Sequence, residues 1–285
     1  MREVVAHIKH GDCLEVLKEF PDGHFDLIFT SPPYADRRKS TYGGIKPKNY
    51  VRWFLPRSEE FLRVLKPTGT FILNIKEKAY NGERGTYVIE LILALRRQGW
   101  LWTEEFIWCK KNCYPGKWPN RFRDAWERCL QFNKKRRFKM NQEAVMVPMG
   151  DWAEGRLRKL GPNDVVRFNS RVGSGFGKNI ANWLGRKMAY PTNVIHLATE
   201  CSNRKHSAAF PPQLPKWFIK LFTDEGDWVL DPFVGSGTTC VAAQSLGRNS
   251  VGIDIIEEYC DLARSRVKSK DFLLFEEQPK YAKNH

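Results

Sequence analysis

The chain has 285 residues and a formal net charge of +15 at pH 7, because 47 Lys and Arg stand against 32 Asp and Glu. This length is enough to bury a real core, and 42% hydrophobic with 13% aromatic residues exclude a disordered or fibrous chain. The longest apolar runs are broken by charges and are too short for a bilayer, and the N-terminal residues carry no secretory signal. We therefore expect a cytoplasmic protein with no membrane partner.

The alternation of apolar patterns predicts the fold class. Strands are predicted at 4–8, 25–29, 70–75, 102–110, 126–132, 227–230 and 250–254. Helices are predicted at 13–20, 50–65, 86–98 with Gly99 as C-cap, 212–222, 238–246 and 257–268. Strands that alternate with helices indicate right-handed βαβ units. We predict an α/β fold with a doubly wound, mostly parallel, Rossmann-like sheet, in which 102–110 and 126–132 form an antiparallel strand pair.

Residues 134–195 interrupt this pattern. They show little periodicity and hold 13 Lys and Arg against 4 Asp and Glu, a local charge of 13 − 4 = +9. Such an excess indicates a polyanionic partner, although a merely soluble basic protein is the alternative. We predict one domain from 1–133 with 196–285, and an irregular inserted region at 134–195. The candidate nucleic-acid contacts are Lys134, Lys135, Arg136, Arg137, Arg156, Arg158, Lys159, Arg167, Arg171 and Lys178.

A glycine-rich turn at 231–239 follows a predicted strand and precedes a predicted helix. Gly235 and Gly237 let the backbone approach a ligand, as expected where nucleotides bind in doubly wound folds. The spacing matches neither the dinucleotide nor the P-loop pattern. The next strand ends in Asp254, which either binds ribose hydroxyls or caps the following helix. Together the two features predict a nucleoside-containing ligand other than NAD or ATP.

A rigid turn with the sequence Ser-Pro-Pro-Tyr follows the buried strand at 25–29. Ser31 and the Pro32 carbonyl can accept hydrogen bonds from an exocyclic amine, while Pro33 fixes the backbone and Tyr34 offers a ring for stacking. Holding both N–H bonds favours a pyramidal nitrogen and frees its lone pair for attack. The alternative is a proline-rich structural turn with a packing tyrosine.

These motifs, in this order, resemble those of the β class of DNA amino-methyltransferases. In that class a Ser/Asp-Pro-Pro-Tyr segment comes first, a target recognition region follows, and the cofactor turn comes last. Here the order is 31–34, then 134–195, then 231–239. Residues 203–211 are similar to the family motif upstream of the cofactor turn, and the resemblance covers nearly all of the chain outside 134–195. It implies a circularly permuted strand order.

The resemblance implies S-adenosylmethionine as cofactor. Asp231 would lie near its amino group, Asp254 would hold the ribose, and Asp12 would meet the adenine amine. Phe210 would pack near the methionine end, although Phe210 and Phe233 are equally compatible with the core. The full implied set is Asp12, Phe210, Asp231, Phe233, Gly235, Ser236, Gly237, Thr238 and Asp254, with Ser31, Pro32, Pro33 and Tyr34 as the catalytic turn.

Ser31 stands where other members of the class have Asp. In this family the serine tends to accompany methylation of cytosine N4, and aspartate that of adenine N6. We therefore expect a cytosine-N4 methyltransferase that flips its target out of duplex DNA, with adenine N6 as the alternative. The resemblance also implies a restriction–modification setting, with a cognate restriction endonuclease as a partner. Oligomeric state and recognition sequence stay open.

Three further expectations complete the sequence-based hypothesis. One rival is a non-catalytic DNA-binding protein on the same scaffold, and another is an N-methyltransferase that acts on RNA or protein. The seven cysteines are odd in number and scattered, which favours reduced thiols over disulfides. Cys109 and Cys113 lack a second pair at zinc spacing, so we expect no metal site.

Overall fold

The structure is a computed structural model, which describes residues 4–35, 44–80, 82–113, 116, 119–149, 185–199 and 210–269. The chain divides into two compact units, one formed by 1–141 with 193–285 and the other by 142–192. The second unit thus begins at 142 and ends at 192, whereas the predicted boundaries were 134 and 195. The basic candidates from Arg156 to Lys178 lie outside the described residues.

The strands build one large sheet and two small ones. In chain order they are β1 Ala6–His10, β2 Phe25–Thr30, β3 Leu65–Ile75, β4 Ala79–Tyr80, β5 Glu83–Arg84, β6 Leu101–Lys110, β7 Trp126–Asn133, β8 Val147–Pro148, β9 Met188–Ala189, β10 Val194–Leu197, β11 Trp228–Asp231 and β12 Asn249–Asp254. The large sheet, in the first unit, has the order β1-β12-β11-β2-β3-β7-β6-β10. The pairs β4–β5 and β8–β9 form the small sheets, and β8–β9 belongs to the second unit.

The large sheet is mostly parallel, as predicted. Strands β1, β12, β11, β2 and β3 run parallel to their neighbours, while β7 is antiparallel to both β3 and β6. The antiparallel partnership of β6 and β7 is therefore confirmed. Strand β10, which pairs parallel with β6, was not predicted, and it begins inside the region assigned to the insert.

Helices cover both faces of this sheet. They are α1 Cys13–Val16, continued by a 3-10 turn at Leu17–Glu19, then α2 Pro47–Val64, α3 Tyr87–Gln98, α4 Gln213–Phe222, α5 Thr238–Ser245 and α6 Glu257–Ser269. Gly99 ends α3 with φ of 113°, a left-handed C-cap as predicted. Helix α2 begins at Pro47, three residues before the predicted start, because proline fits the first turn of a helix.

The core lies against β2, whose six residues are all buried. Ile28 faces a cluster that includes Tyr50, Phe54 and Phe61 of α2. Phe29, which points to the opposite face, lies 5.4 Å from the ring of Phe218 in α4. Full burial on both faces explains the continuous apolar run of this strand. None of the helices within the described ranges is both long and apolar enough to cross a membrane.

The parallel arrangement places two distant turns side by side. Strands β2 and β11 are neighbours, with Val229 opposite Leu27 and Leu230 opposite Ile28. Their carboxyl ends therefore open at the same edge of the sheet, where ligands bind in open α/β folds. The segment 31–34 leaves one of these ends, and the glycine-rich turn leaves the other.

The close packing of α6 on this turn makes Gly237 a test of the fold. Gly237 has φ of +84°, and a Cβ there would lie 2.8 Å from Cβ of Ala263. We expect Gly237→Ala to lower the free energy of unfolding by about 2–4 kcal/mol, from left-handed strain and from overpacking. Gly226→Ala is the matched control, because φ is +86° and the described residues leave its Cβ position open. Equal losses in urea denaturation would contradict the packing argument.

Candidate active site at the carboxyl ends of the strands

A single buried carboxylate joins the two turns. Thr30, the last residue of β2, donates its hydroxyl proton to Asp231 Oδ1 over 2.7 Å. Thr239, in α5, donates to Asp231 Oδ2 over 2.6 Å, and the backbone N–H of Phe233 also donates to Oδ1 over 3.2 Å. Asp231 is only 1% exposed. The catalytic turn and the glycine-rich turn are thus held together at the sheet edge.

Burial dominates the ionisation of this carboxylate. It raises the pKa of Asp231 from 3.8 to about 6, although the hydrogen bonds from Thr239, Thr30 and Phe233 act in the opposite direction. The folded protein therefore favours the protonated form of Asp231 relative to the unfolded chain. The two threonine hydroxyls reduce this penalty without removing it.

The end of β12 supports the glycine-rich turn from below. Asp254 Oδ2 accepts the backbone N–H of Gly235 over 2.9 Å, and Oδ1 accepts that of Ile256 over 3.0 Å. Asp254 is 4% exposed. Its carboxylate therefore bridges the turn and the segment that leads into α6, so both sequence interpretations keep a structural basis. Its contact with ribose stays a prediction.

Arg266 of α6, which the sequence analysis missed, also holds this turn. Its guanidinium donates to the Ser236 carbonyl over 2.7 Å and to the Ser236 hydroxyl over 3.0 Å. It reaches Thr238 Oγ1 over 3.2 Å. Ser236 and Thr238 are both buried. Two of the predicted cofactor residues therefore have well-defined partners inside the protein.

A second part of the site forms around Asp12. Its Oδ1 accepts the backbone N–H of Leu14 over 3.0 Å and so caps α1. Arg57 of α2 pairs with the same carboxylate, at 2.8 Å from Oδ2. The guanidinium of Arg57 lies 4.4 Å from the ring centroid of Trp53, a cation–π contact. The Asp12 side chain nevertheless remains 35% exposed.

Aromatic rings line the same edge. The rings of Trp53 and Phe233 lie 5.7 Å apart, and Phe233 is partly buried against the core. Phe210 meets Phe29 edge-on at 5.2 Å. Both predicted phenylalanines therefore contact the core while keeping part of their surface exposed, which fits either of the two interpretations given to them.

The Ser-Pro-Pro-Tyr turn is fixed at both ends. The buried hydroxyl of Tyr50 donates to the Pro33 carbonyl over 3.0 Å, and Pro32 is itself buried. Ser31 Oγ donates to the Tyr34 hydroxyl over 3.3 Å. The Tyr34 hydroxyl in turn donates to Glu127 Oε2 of β7 over 2.7 Å. The turn is therefore anchored to α2 on one side and to β7 on the other.

The surroundings of Tyr34 keep it protonated. Burial raises its pKa well above 10, and the nearby Glu127 carboxylate raises the pKa further. Lys110 of β6 pairs with the other oxygen of Glu127, at 2.6 Å from Oε1. Asn74 Oδ1, at the end of β3, lies 3.4 Å from the Tyr34 hydroxyl. None of Glu127, Lys110 and Asn74 was predicted, since their sequence positions carry no motif.

The basic candidates at 134–137 differ in their surroundings. Lys134 donates to the carbonyls of Leu62 and Leu65 over 2.8 Å each, at the C-terminal end of α2. Lys135, Arg136 and Arg137 are exposed. Six further candidates, Arg156, Arg158, Lys159, Arg167, Arg171 and Lys178, lie outside the described residues, as does 203–209 of the upstream motif.

Comparisons with known proteins identify the family to which this arrangement belongs. Residues 25–265 match the DNA methylase family N6_N4_Mtase. The chain is 30% identical over 292 residues to the type II methyltransferase M.PvuII of Proteus hauseri, covering 94% of this chain and 84% of that one. It is 26% identical over 291 residues to the type II methyltransferase M.SmaI of Serratia marcescens, covering 90% and 89% respectively.

Solved structures agree with this result. The PvuII DNA methyltransferase, described as cytosine-N4-specific, has a TM-score of 0.70 and 25% identity, covering 92% of this chain and 86% of that one. A DNA modification methylase of Thermus thermophilus, TTHA0409, complexed with S-adenosylmethionine, has a TM-score of 0.61 and 23% identity, covering 93% and 94%, and shows the shared fold.

The chain therefore belongs to the N6/N4 DNA methylase family, and the predicted resemblance is confirmed. It is a DNA methyltransferase similar to the type II enzymes of restriction–modification systems. Its cofactor is S-adenosylmethionine, as expected. These findings favour an enzyme over the non-catalytic DNA-binding protein.

The raised pKa of Asp231 predicts a pH dependence of stability. Because the folded-state pKa exceeds the unfolded value, this group stabilises the protein below about pH 4 and loses that contribution as the pH rises through about 6. We expect wild-type stability to fall relative to Asp231→Asn by up to about 3 kcal/mol between about pH 4 and 7, at 1.36 kcal/mol per pKa unit.

Urea denaturation across this pH range measures the difference. Asp22→Asn is the control for loss of one carboxylate, because the Asp22 side chain is 82% exposed. A constant difference between the wild type and Asp231→Asn at every pH would show that Asp231 is ionised normally in the folded state.

Proposed function

We propose that the chain methylates the exocyclic N4 of cytosine at a specific site in duplex DNA, with S-adenosylmethionine as methyl donor. The observation that carries the proposal is the 2.7 Å hydrogen bond from Thr30 to Asp231. It joins the turn expected to hold the target amine to the turn expected to hold the cofactor. A sulfonium and an amine bound at these turns would lie side by side at one edge of the sheet.

The residues around the glycine-rich turn fit the chemical groups of the cofactor. S-adenosylmethionine supplies a methyl group on a positively charged sulfonium. Asp12 offers an exposed carboxylate edge for the adenine amine, and Phe233 and Phe210 offer partly exposed rings for apolar contact. The start of α5, with Gly235 and Gly237 before it, favours the carboxylate of the methionine part.

The two buried acids contribute in a different way. Each oxygen of Asp254 accepts one backbone N–H and has further lone pairs, so it can also accept from ribose hydroxyls. Asp231 is almost fully buried, and it contributes negative potential near the cofactor ammonium while it holds the turns together. Both assignments follow the family resemblance and agree with the positions of these side chains.

The catalytic turn prepares the target amine for attack. An amine conjugated with a base ring is a weak nucleophile, and acceptors on its N–H bonds favour the pyramidal geometry that frees the lone pair. Ser31 Oγ and the Pro32 carbonyl serve as these acceptors, and the Tyr34 ring stacks on the base. The nitrogen forms a bond to the methyl carbon as the carbon–sulfur bond breaks, with its electron pair left on sulfur. Water takes the proton that the nitrogen then loses.

Access to this turn requires the target base to leave the duplex. A base stacked inside DNA cannot reach a site at the carboxyl ends of the strands, so base flipping at a cost of a few kcal/mol is expected. Lys135, Arg136 and Arg137 are exposed and suited to phosphate contacts. The net charge of +15 supports a nucleic-acid partner.

Two observations favour cytosine N4 over adenine N6. The first residue of the catalytic turn is Ser31 rather than Asp, and one structural relative is described as cytosine-N4-specific. The type II relatives also support a restriction–modification setting, with a cognate restriction endonuclease as a partner of the proposed enzyme.

Incubation with tritiated S-adenosylmethionine tests the reaction and its product. The substrates are unmethylated plasmid DNA and, separately, double-stranded and single-stranded RNA of matched length. We expect label in DNA, and nucleoside analysis is expected to give N4-methylcytidine in its deoxy form. Label in 6-methyladenine would establish the alternative target, and label in RNA alone would contradict the DNA assignment.

Ser31 gives a direct test of the proposed catalytic turn. Ser31→Ala removes an acceptor for the amine, and we expect kcat to fall about 100-fold or more, as when one donor is removed from an oxyanion hole. Cofactor binding, measured by calorimetry, should be unchanged. Ser245→Ala is the control, since its hydroxyl bonds only to the Ala242 carbonyl within α5. Wild-type turnover in Ser31→Ala would exclude a catalytic role.

A further inference from the structure

The contact between Tyr34 and Glu127 is not required by the proposed reaction as described so far. That reaction uses the Tyr34 ring and the Ser31 oxygen, whereas the Tyr34 hydroxyl points to Glu127 at the start of β7, 2.7 Å away. Glu127 is 9% exposed. A buried carboxylate beside the catalytic turn calls for a physical explanation, because burying a charge is costly unless it is used.

The positions of the acceptors decide which way the Tyr34 proton points. A phenol has one proton, and its neighbours Glu127 Oε2 and Asn74 Oδ1 are 2.7 and 3.4 Å away. The charged and nearer oxygen takes the proton, since hydrogen bonds to ionised acceptors are shorter and stronger. The raised pKa of Tyr34 keeps this proton on the phenol.

Asn74 cannot reverse this direction. Its amide nitrogen donates to the Arg128 carbonyl over 3.1 Å, which leaves the amide oxygen towards Tyr34. Lys110 binds Glu127 Oε1 over 2.6 Å, so the carboxylate is oriented and its charge is partly balanced. Every group around the Tyr34 proton therefore accepts, and Tyr34 can only donate in this direction.

The consequence reaches Ser31. With its own proton committed to Glu127, the Tyr34 oxygen is left as an acceptor, and Ser31 Oγ donates to it over 3.3 Å. The Ser31 proton is thereby directed away from the target, and the lone pairs of Ser31 Oγ are left for the amine. A hydroxyl is otherwise able to donate or accept, and only acceptance helps an amine that must give up its conjugated lone pair.

We propose that Glu127 is a positioning residue for methyl transfer, which acts through Tyr34 to make Ser31 a hydrogen-bond acceptor for the target amine. The inference rests on the proposed function and extends it to β7. A carboxylate in the place of Ser31 could only accept while ionised. Glu127 gives the serine the same fixed direction from one residue further away.

The variant Glu127→Gln tests the direction of this chain. Lys110 will retain the amide oxygen, so the amide nitrogen will face Tyr34 and donate to it. Tyr34 must then donate to Ser31, and Ser31 will present its proton to the amine. We expect kcat for tritium transfer to plasmid DNA to fall about tenfold or more, the effect of losing a hydrogen bond to a charged group. The KM for DNA and the Kd for S-adenosylmethionine should change less than about twofold.

A double-mutant cycle separates positioning from a structural effect. Tyr34→Phe keeps the ring and removes the hydroxyl through which Glu127 acts. Glu127→Gln should therefore have little further effect on kcat in the Tyr34→Phe background. An equal fall in both backgrounds, or full kcat in Glu127→Gln alone, would overturn the proposal.

Glu105→Gln is the matched control. Glu105 is a partly buried carboxylate on the neighbouring strand β6 and pairs with Arg128, also on β7. We expect full kcat and an equal or larger loss of thermal stability in this variant. If the wild-type protein transfers no label to DNA, the proposed function itself fails. Transfer by the wild type with no coupling between Glu127 and Tyr34 sinks only this inference.

Discussion

The buried carboxylate of Asp231 is the interaction on which the rest of the site depends. It lies between the hydroxyls of Thr30 and Thr239 and so connects β2, β11 and α5 at one edge of the sheet. Burial makes its ionised form costly, which its raised pKa reflects, and the two hydroxyls offset part of that cost. A hydrocarbon side chain here would leave both hydroxyls without this acceptor. The contact between the two functional turns is therefore maintained at some expense in stability.

The meeting of these turns could be predicted from the sequence, because it follows from topology. Buried apolar runs before 31–34 and 231–239 indicate central parallel strands, and the carboxyl ends of such strands open at one edge. The left-handed cap at Gly99 was also predictable, since it needs only local geometry. By contrast, Lys66 and Pro67 were interpreted as the end of a helix, yet β3 begins at Leu65. Its pairing with β2 shifts between Phe25 and Leu27, and this irregularity accommodates proline and glycine within the strand.

The partners of the catalytic turn could not be predicted, because they depend on register between strands. Antiparallel pairing sets Ile75 opposite Arg128 and Asn74 opposite Cys129, and this register brings the start of β7 to Tyr34. A shift of one residue would turn Glu127 to the other face of the sheet. Arg57 presents the same difficulty, since its contact with Asp12 spans 45 positions and depends on how α2 packs. Neither residue lies in a recognisable motif, so only the folded arrangement reveals them.

The charges around the site have a logic that follows the proposed reaction. The cofactor side carries the carboxylates of Asp12, Asp231 and Asp254, which suit a sulfonium that is positively charged before transfer. As the methyl group moves, positive charge passes from sulfur to the target nitrogen. Acceptors are therefore needed on the target side at that moment, and Ser31 can meet this need only if its proton is directed elsewhere. Glu127 does so from behind Tyr34, where its own charge is balanced by Lys110 and kept out of contact with the base. The arrangement allows a neutral serine at the reacting nitrogen while the anion that directs it stays buried.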